Sequence, residues 1–241
     1  MADQSAGKSA ETYASAERLH WEQRYQSDPS AASFSWTQSS PQVSLDMIGK
    51  VLPAGSDFVN VVDLGGGSSS LALHVSGLAH KRGIARTDVT VFDISQHALD
   101  AARVRMEKEK GDFPSAAMSS VHFQQADIRE LELAPQSVDI WHDRAVFHFL
   151  TDSADRSKYI ALAASTIKPG GALVIATFDE DGGPEKCSGL PVQRWSCAGL
   201  AEAFAAHGFS AEHCEKQVHT TPGGATQRFV YATLCKLPSS A

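Results

Sequence analysis

The chain is short of the residues that staple small extracellular domains. It has four cysteines in 241 residues, Cys187, Cys197, Cys214 and Cys235, and no C-x-x-C pair among them. That spacing suits reduced thiols better than a disulfide framework or a zinc site, so Cys214 and Cys235 are expected as core thiols of a cytoplasmic protein without a metal. Positive charge is also scarce. With 21 Lys and Arg against 28 Asp and Glu the formal net charge is −7, which argues against a long basic groove and hence against nucleic acid as a partner. No apolar run is long enough to span a bilayer. Residues 1–11 are polar and Ser/Ala-rich, without the basic start and apolar stretch of a signal peptide, and are expected as a disordered tail. There is no internal repeat or low-complexity block, and 42% hydrophobic residues suffice for one ordinary domain with a full core, as a monomer or a homodimer.

What is present is a succession of short apolar runs that end in acids. Val59-Asn60-Val61-Val62-Asp63-Leu64 runs into Gly65-Gly66-Gly67, too short and too valine-rich for a helix, and reads as a buried parallel strand opening into a turn. Glycines at that place let the backbone turn tightly and approach a ligand, and the helix that follows offers unpaired N–H groups. The spacing is D-x-G-x-G. The dinucleotide fingerprint G-x-G-x-x-G is not met, because Ser70 stands at the third glycine position. A second run, 89–94, ends at Asp93, where a carboxylate can accept ribose hydroxyls. A third, 121–124, leads to Asp127-Ile128, and a fourth, 137–141, leads to His142-Asp143-Arg144. One acid of this kind could be a helix cap; four in order are hard to assign to caps.

Between these strands the pattern is helical, over 68–82, 96–110 and 153–167, with Lys168-Pro169-Gly170-Gly171 turning the last helix into a strand over 172–177. Alternation of this type means a parallel sheet covered on both faces. Before it come a helix over 12–25 and a second helix with Ser40 as cap and Pro41 at its first position. After it come a Gly/Pro-rich loop over 179–195, a helix capped by Ser196 and stopped by Gly208, and two strands, 210–218 and 227–236, that read as a hairpin.

D-x-G-x-G with the acids at the following strand ends resembles the class I S-adenosylmethionine-dependent methyltransferases, and the closing hairpin resembles the end of their seven-stranded sheet. Upstream, Trp21-Glu22-Gln23-Arg24-Tyr25 and Phe34-Ser35-Trp36 are similar to the W-x-x-R-Y and F-x-W pair of thiopurine and thiol methyltransferases and of several seven-strand protein-lysine methyltransferases. The resemblance covers about residues 12–236. It implies an α/β, Rossmann-like, doubly wound seven-stranded sheet with helices on both faces, a lid segment over 12–56 and a core over 57–237. It further implies S-adenosylmethionine as cofactor and S-adenosylhomocysteine as product. Cofactor contacts are expected from Trp21, Arg24, Tyr25, Trp36, Asp63, Gly65, Gly67, Asp93, Ile94, Asp127, Ile128 and Asp143. In the family Asp127 accepts from the adenine amino group while Ile128 packs near the ring, and the end of the fourth strand faces the methyl group.

The catalytic candidates are therefore His142, Asp143, Arg144 and His148. Against each stands a plain structural role, Asp143 as a cap and His148 as a core histidine. The N/D-P-P-Y/F motif of amino-methylating enzymes is absent after the fourth strand, and so is a large inserted domain, so a small enclosed acceptor site is expected. A thiol or hydrogen sulfide is the first expectation for the acceptor, since a neighbouring His or Arg can favour its thiolate. A protein lysine is the alternative. A non-catalytic cofactor-binding scaffold and a nicotinamide dehydrogenase are the more distant ones.

Overall fold

The computed structural model describes residues 10–28, 30–38, 40–113 and 120–238. Most of the expected tail, residues 1–9, lies outside them. One seven-stranded sheet organises the chain in the order β3-β2-β1-β4-β5-β9-β8. The strands are β1 Phe58–Leu64, β2 Arg86–Asp93, β3 Ser120–Gln125, β4 Val138–Arg144, β5 Ile167–Phe178, β8 Phe209–Thr220 and β9 Thr226–Lys236. The first five run parallel, and β9 pairs antiparallel with both β5 and β8.

Side-chain alternation explains why these valine-rich runs are strands buried on both faces. Val59 and Val61 pack on one side with Met47, Ile48, Leu71 and Val75. Val62 and Leu64 pack on the other with Tyr159, Ile160, Leu200 and Phe204. The first layer is α2 Gln42–Val51 and α3 Leu71–Lys81, and the second is α5 Ser153–Thr166 and α6 Cys197–Ala205. Two further helices, α1 Ala10–Ser27 and α4 Gln96–Glu109, pack on each other beside the strand ends. Ser95, Asp152 and Ser196 cap α4, α5 and α6 by accepting from backbone amides.

Several local expectations change. Pro41, not Ser40, occupies the cap position of α2, and no side chain caps that helix. Lys168-Pro169-Gly170-Gly171 is not a separate turn, because β5 starts at Ile167 directly after α5 and a register shift against Val138–Ile140 absorbs the extra residues. Within 179–195 a small hairpin forms, β6 Lys186–Cys187 with β7 Leu190–Pro191. The thiol expectation is corrected most clearly: Cys197 and Cys214 form a disulfide that joins the start of α6 to β8, while Cys187 and Cys235 are free. Cys235 is only half-buried. Sequence distance hid that pair, since two cysteines 17 residues apart carry no short-range signal. Among the described residues no helix is long and apolar enough to cross a membrane.

Candidate active site

At the carboxyl ends of β1, β2 and β4 a cavity of about 1370 Å³, its mouth included, opens beneath α1 and α2. Parallel strands place their last residues there, which is the ordinary location of a ligand crevice in an open α/β sheet.

The floor is the glycine turn. Gly65 and Gly67 adopt φ of 58° and 54°, a conformation that costs a side-chain-bearing residue roughly 1–2 kcal/mol. Space is as restrictive as angle: a Cβ on Gly65 would lie 2.1 Å from Val146 Cγ2, and one on Gly67 2.5 Å from the Tyr25 hydroxyl. The lid residue Tyr25 is thus seated directly on the turn, with its hydroxyl accepting from Trp36 Nε1 at 3.3 Å. Burial raises the Tyr25 hydroxyl well above its ordinary pKa.

Acids ring this floor. Asp93 accepts from Gly67 N at 2.9 Å and Ser95 N at 2.8 Å, and burial pushes its carboxyl up to about 6 against those bonds. Asp127 is gripped by Arg129, Nε at 2.8 Å and one terminal nitrogen at 2.6 Å, and the same guanidinium reaches Glu17 of α1 at 2.8 Å. Among the described residues, His142 is the one hydrogen-bond partner of the Asp63 carboxylate, with its Nδ1 2.7 Å away. The ring is completed by Trp21, Trp36, Ile94, Ile128, Phe149 and Arg144. Arg144 donates to the Tyr231 hydroxyl at 3.2 Å and twice to the Trp36 carbonyl at 3.0 Å, which ties the lid to the end of β4.

Four of the candidate residues do not line the cavity. Gly67 contributes through its amide to Asp93. Arg24 is stacked over Phe34 at 5.1 Å. Asp143 points away from the cavity: fully buried, it accepts from Val146 N, Phe147 N and the Tyr159 hydroxyl, so it caps the 3-10 turn Phe147–Phe149 and does not reach a ligand. Burial raises its carboxyl to about 6 as well. His148 is fully buried between Phe149 and Phe178, with neither ring nitrogen hydrogen-bonded, and burial lowers it to about 3. It is a core histidine. Cys187, by contrast, lines the cavity, and burial raises its thiol to about 11 despite Arg144 and Arg24.

Three contributors escaped the sequence. Ser44 of α2 bonds His142 Nε2 at 2.9 Å, across 98 positions. Glu22 of α1 sits on the start of α4, accepting from Ser95 Oγ, the amides of Gln96 and His97, and Gln125 Nε2. Burial opposes its charge, but the bonds from His97, Gln96 and Ser95 win and hold its carboxyl at about 2. A carboxylate over a helix start is favourable, which makes Glu22 the fastener of α1 on α4. Arg129 follows Asp127 by two positions and had no motif to mark it.

A seven-stranded sheet of this order, with a glycine turn and acids at consecutive strand ends, defines a nucleotide-cofactor enzyme of the Rossmann-like type. The sequence narrows it further: residues 56–223, more than half of the chain, match the methyltransferase domain family, and the chain belongs to it. No curated protein matches the sequence. Among solved structures, a 1,6-didemethyltoxoflavin-N1-methyltransferase from Burkholderia thailandensis superposes with a TM-score of 0.68 at 16% identity, over 98% of this chain and 94% of that one. That structure contains S-adenosylhomocysteine and 1,6-didemethyltoxoflavin. A protein described for the conversion of a disulfide bond into a thioacetal group during echinomycin biosynthesis reaches 0.67 at 18% identity, over 92% and 94%. A methyltransferase from Methanosarcina mazei reaches 0.61 at 15%, over 84% and 100%. At such identities the likeness establishes the fold. The chain is an S-adenosylmethionine-dependent methyltransferase, and the family match stands against the dehydrogenase reading.

Proposed function

We propose that the enzyme methylates a small molecule inside this cavity, a thiol or hydrogen sulfide before any other acceptor. The observation that carries this reading is the aromatic stretch of the cavity wall. Trp21 meets Trp36 edge-on at 5.6 Å and Phe149 at 5.3 Å, Cys187 lies in the same lining, and Arg144 is the cation at the end of β4. Aromatic rings with the Arg144 guanidinium beside them suit a soft nucleophile that turns anionic, because a nearby cation lowers the pKa of a thiol. The same guanidinium repels a lysine side chain.

In this reading residues 12–56 are the lid and 57–237 the core. The residues fit the cofactor: Gly65 and Gly66 line the cavity together with the carboxylates of Asp63, Asp93 and Asp127. Asp93 stands for the ribose hydroxyls. Asp127, whose oxygens keep lone pairs beyond the Arg129 bonds, stands for the adenine amino group, with Ile128 against the ring. When bound, the cofactor supplies a methyl group on a sulfonium. The protein then has to hold the acceptor in line with it and keep water out, and alignment of that kind supplies several kcal/mol.

The test is incubation of the enzyme with methyl-labelled S-adenosylmethionine and a cell extract, followed by separation of volatile and low-mass products from precipitated macromolecules. Label is expected in the volatile or low-mass fraction, and Arg144→Ala should depress its formation. Label in protein would replace this reading with lysine methylation.

A further inference from the structure

A hydrogen-bonded chain of three side chains passes through the cavity wall. Asp63 from β1 and His142 from β4 stand directly opposite in the strand register, with Asp63 Oδ1 2.7 Å from His142 Nδ1, and His142 Nε2 is 2.9 Å from Ser44 Oγ of α2. All three are buried, and all three line the cavity. A carboxylate only accepts, so Nδ1 carries the proton toward Asp63. In the neutral ring Nε2 is then an acceptor, and the Ser44 hydroxyl donates to it. Asp63 differs from its neighbours in what is left over. Both oxygens of Asp93 and both of Asp127 are engaged, whereas Asp63 Oδ2 has no hydrogen-bond partner among the described residues.

We propose that His142, steadied by Ser44, is a proton-linked positioning residue that sets how much negative charge Asp63 presents to the ammonium group of the cofactor. The cofactor carries two cations, and the choice between them follows from the reaction. The sulfonium loses its charge on methyl transfer, so a fixed carboxylate beside it would stabilise the ground state more than the transition state and slow the enzyme. The ammonium keeps its charge throughout, and anchoring it costs nothing in rate. A proton on His142 and an ammonium on Asp63 are two positive charges sharing one carboxylate, and each disfavours the other. The coupling is reciprocal, so cofactor binding disfavours the protonated ring, and acid weakens binding by up to tenfold per pH unit wherever the free enzyme carries that extra proton on His142.

Other titrating groups lie close. Asp93 of β2 interacts with Asp63, and Asp143, the next residue on β4, interacts with His142. Arg144 follows on the same strand, α2 contributes the uncharged Ser44, and β5 sets Val174 opposite His142. The proposal concerns the cofactor and holds whatever the acceptor is, so failure of the thiol reading leaves it standing.

The experiment is calorimetric titration of the full-length protein with S-adenosylhomocysteine and with S-adenosylmethionine between about pH 5.5 and 8, in buffers of different ionisation enthalpy. Both ligands should release a proton. His142→Asn, whose amide still donates to Asp63 but cannot titrate, should abolish that release and flatten the acid limb of the affinity profile. Ser44→Ala should weaken binding several-fold with the release retained, and Ser44→Thr should restore the affinity. Equal proton release in His142→Asn would overturn the proposal, and so would release with S-adenosylmethionine alone. Should His142→Asn not fold, the ring of His142 followed by NMR in the unmodified protein decides the matter. Its titration must move down by about a pH unit or more on saturation with S-adenosylhomocysteine, and an unmoved titration refutes the link.

Discussion

Replacing Gly65 by alanine should cost the protein about 2–4 kcal/mol, and the structure says where that cost arises. The left-handed φ of 58° accounts for roughly 1–2 kcal/mol in a residue with a Cβ. A smaller gain, below about 1 kcal/mol, comes back from the stiffer unfolded chain. The rest is overlap: the new Cβ would stand 2.1 Å from Val146 Cγ2, and forcing such a contact into a packed wall costs about 1–3 kcal/mol. The backbone of Val146 cannot simply shift away, because its amide is held by Asp143 at 2.9 Å. Val146→Ala alone should cost about 1 kcal/mol as a loss of partly buried methyl groups. In the double variant the offending methyl is gone and the nearest remaining atom, Val146 Cβ at 3.6 Å, is an ordinary contact. The two costs should therefore fall short of their sum by about 1–3 kcal/mol. The assay is denaturant or thermal unfolding of the four proteins of the cycle; at this chain length each kcal/mol moves Tm by roughly 2–4 °C. Costs that add within about 0.5 kcal/mol would show that the glycine is needed for its angle alone and would refute the close-packed turn.

Three further predictions concern stability. Burial raises Asp93 and Asp143 from 3.8 to about 6, so the folded protein holds these protons more tightly than the unfolded chain does; the stability they contribute is present below about pH 4 and lost as pH rises through 6, about 3 kcal/mol for each group at most. His148 acts in the opposite sense. Lowered from 6.5 to about 3, it contributes stability that is present above pH 6.5 and lost on acidification, so His148→Leu should steepen the rise of Tm between about pH 6.5 and 5 by up to about 1.4 kcal/mol per pH unit; parallel profiles for the two proteins would refute its burial as a neutral ring. Opening the Cys197–Cys214 bond, which closes a loop of 17 residues, should cost about 3 kcal/mol of chain entropy, read as a drop in Tm on adding reductant that Cys197→Ser/Cys214→Ser removes. Four free thiols by titration of the unfolded, unreduced protein would show that the bond does not form.

What the sequence alone determined is the part of this enzyme written at short range. Apolar runs of alternating burial, stops at glycine and acids at strand ends are properties of adjacent residues, and they sufficed for seven strands, the parallel order with its closing hairpin, the glycine turn and the family. Asp63, Asp93 and Asp127 were legible because each is the last polar group of a strand or stands just beyond one, and a parallel sheet delivers all such groups to one edge. Only the tertiary structure decided what those groups meet. Asp143 and His142 are adjacent in sequence and alternate across the sheet, so one turns into the second core layer to cap a helical turn while the other faces the cavity. Ser44 reaches His142, Glu22 reaches the start of α4, and Cys197 reaches Cys214 through contacts that exist only once helices and strands have packed, and no local pattern encodes them. His148 lies between the cavity-lining residues Val146 and Phe149, close enough in sequence to suggest chemistry, yet a single 3-10 turn carries it into the aromatic core.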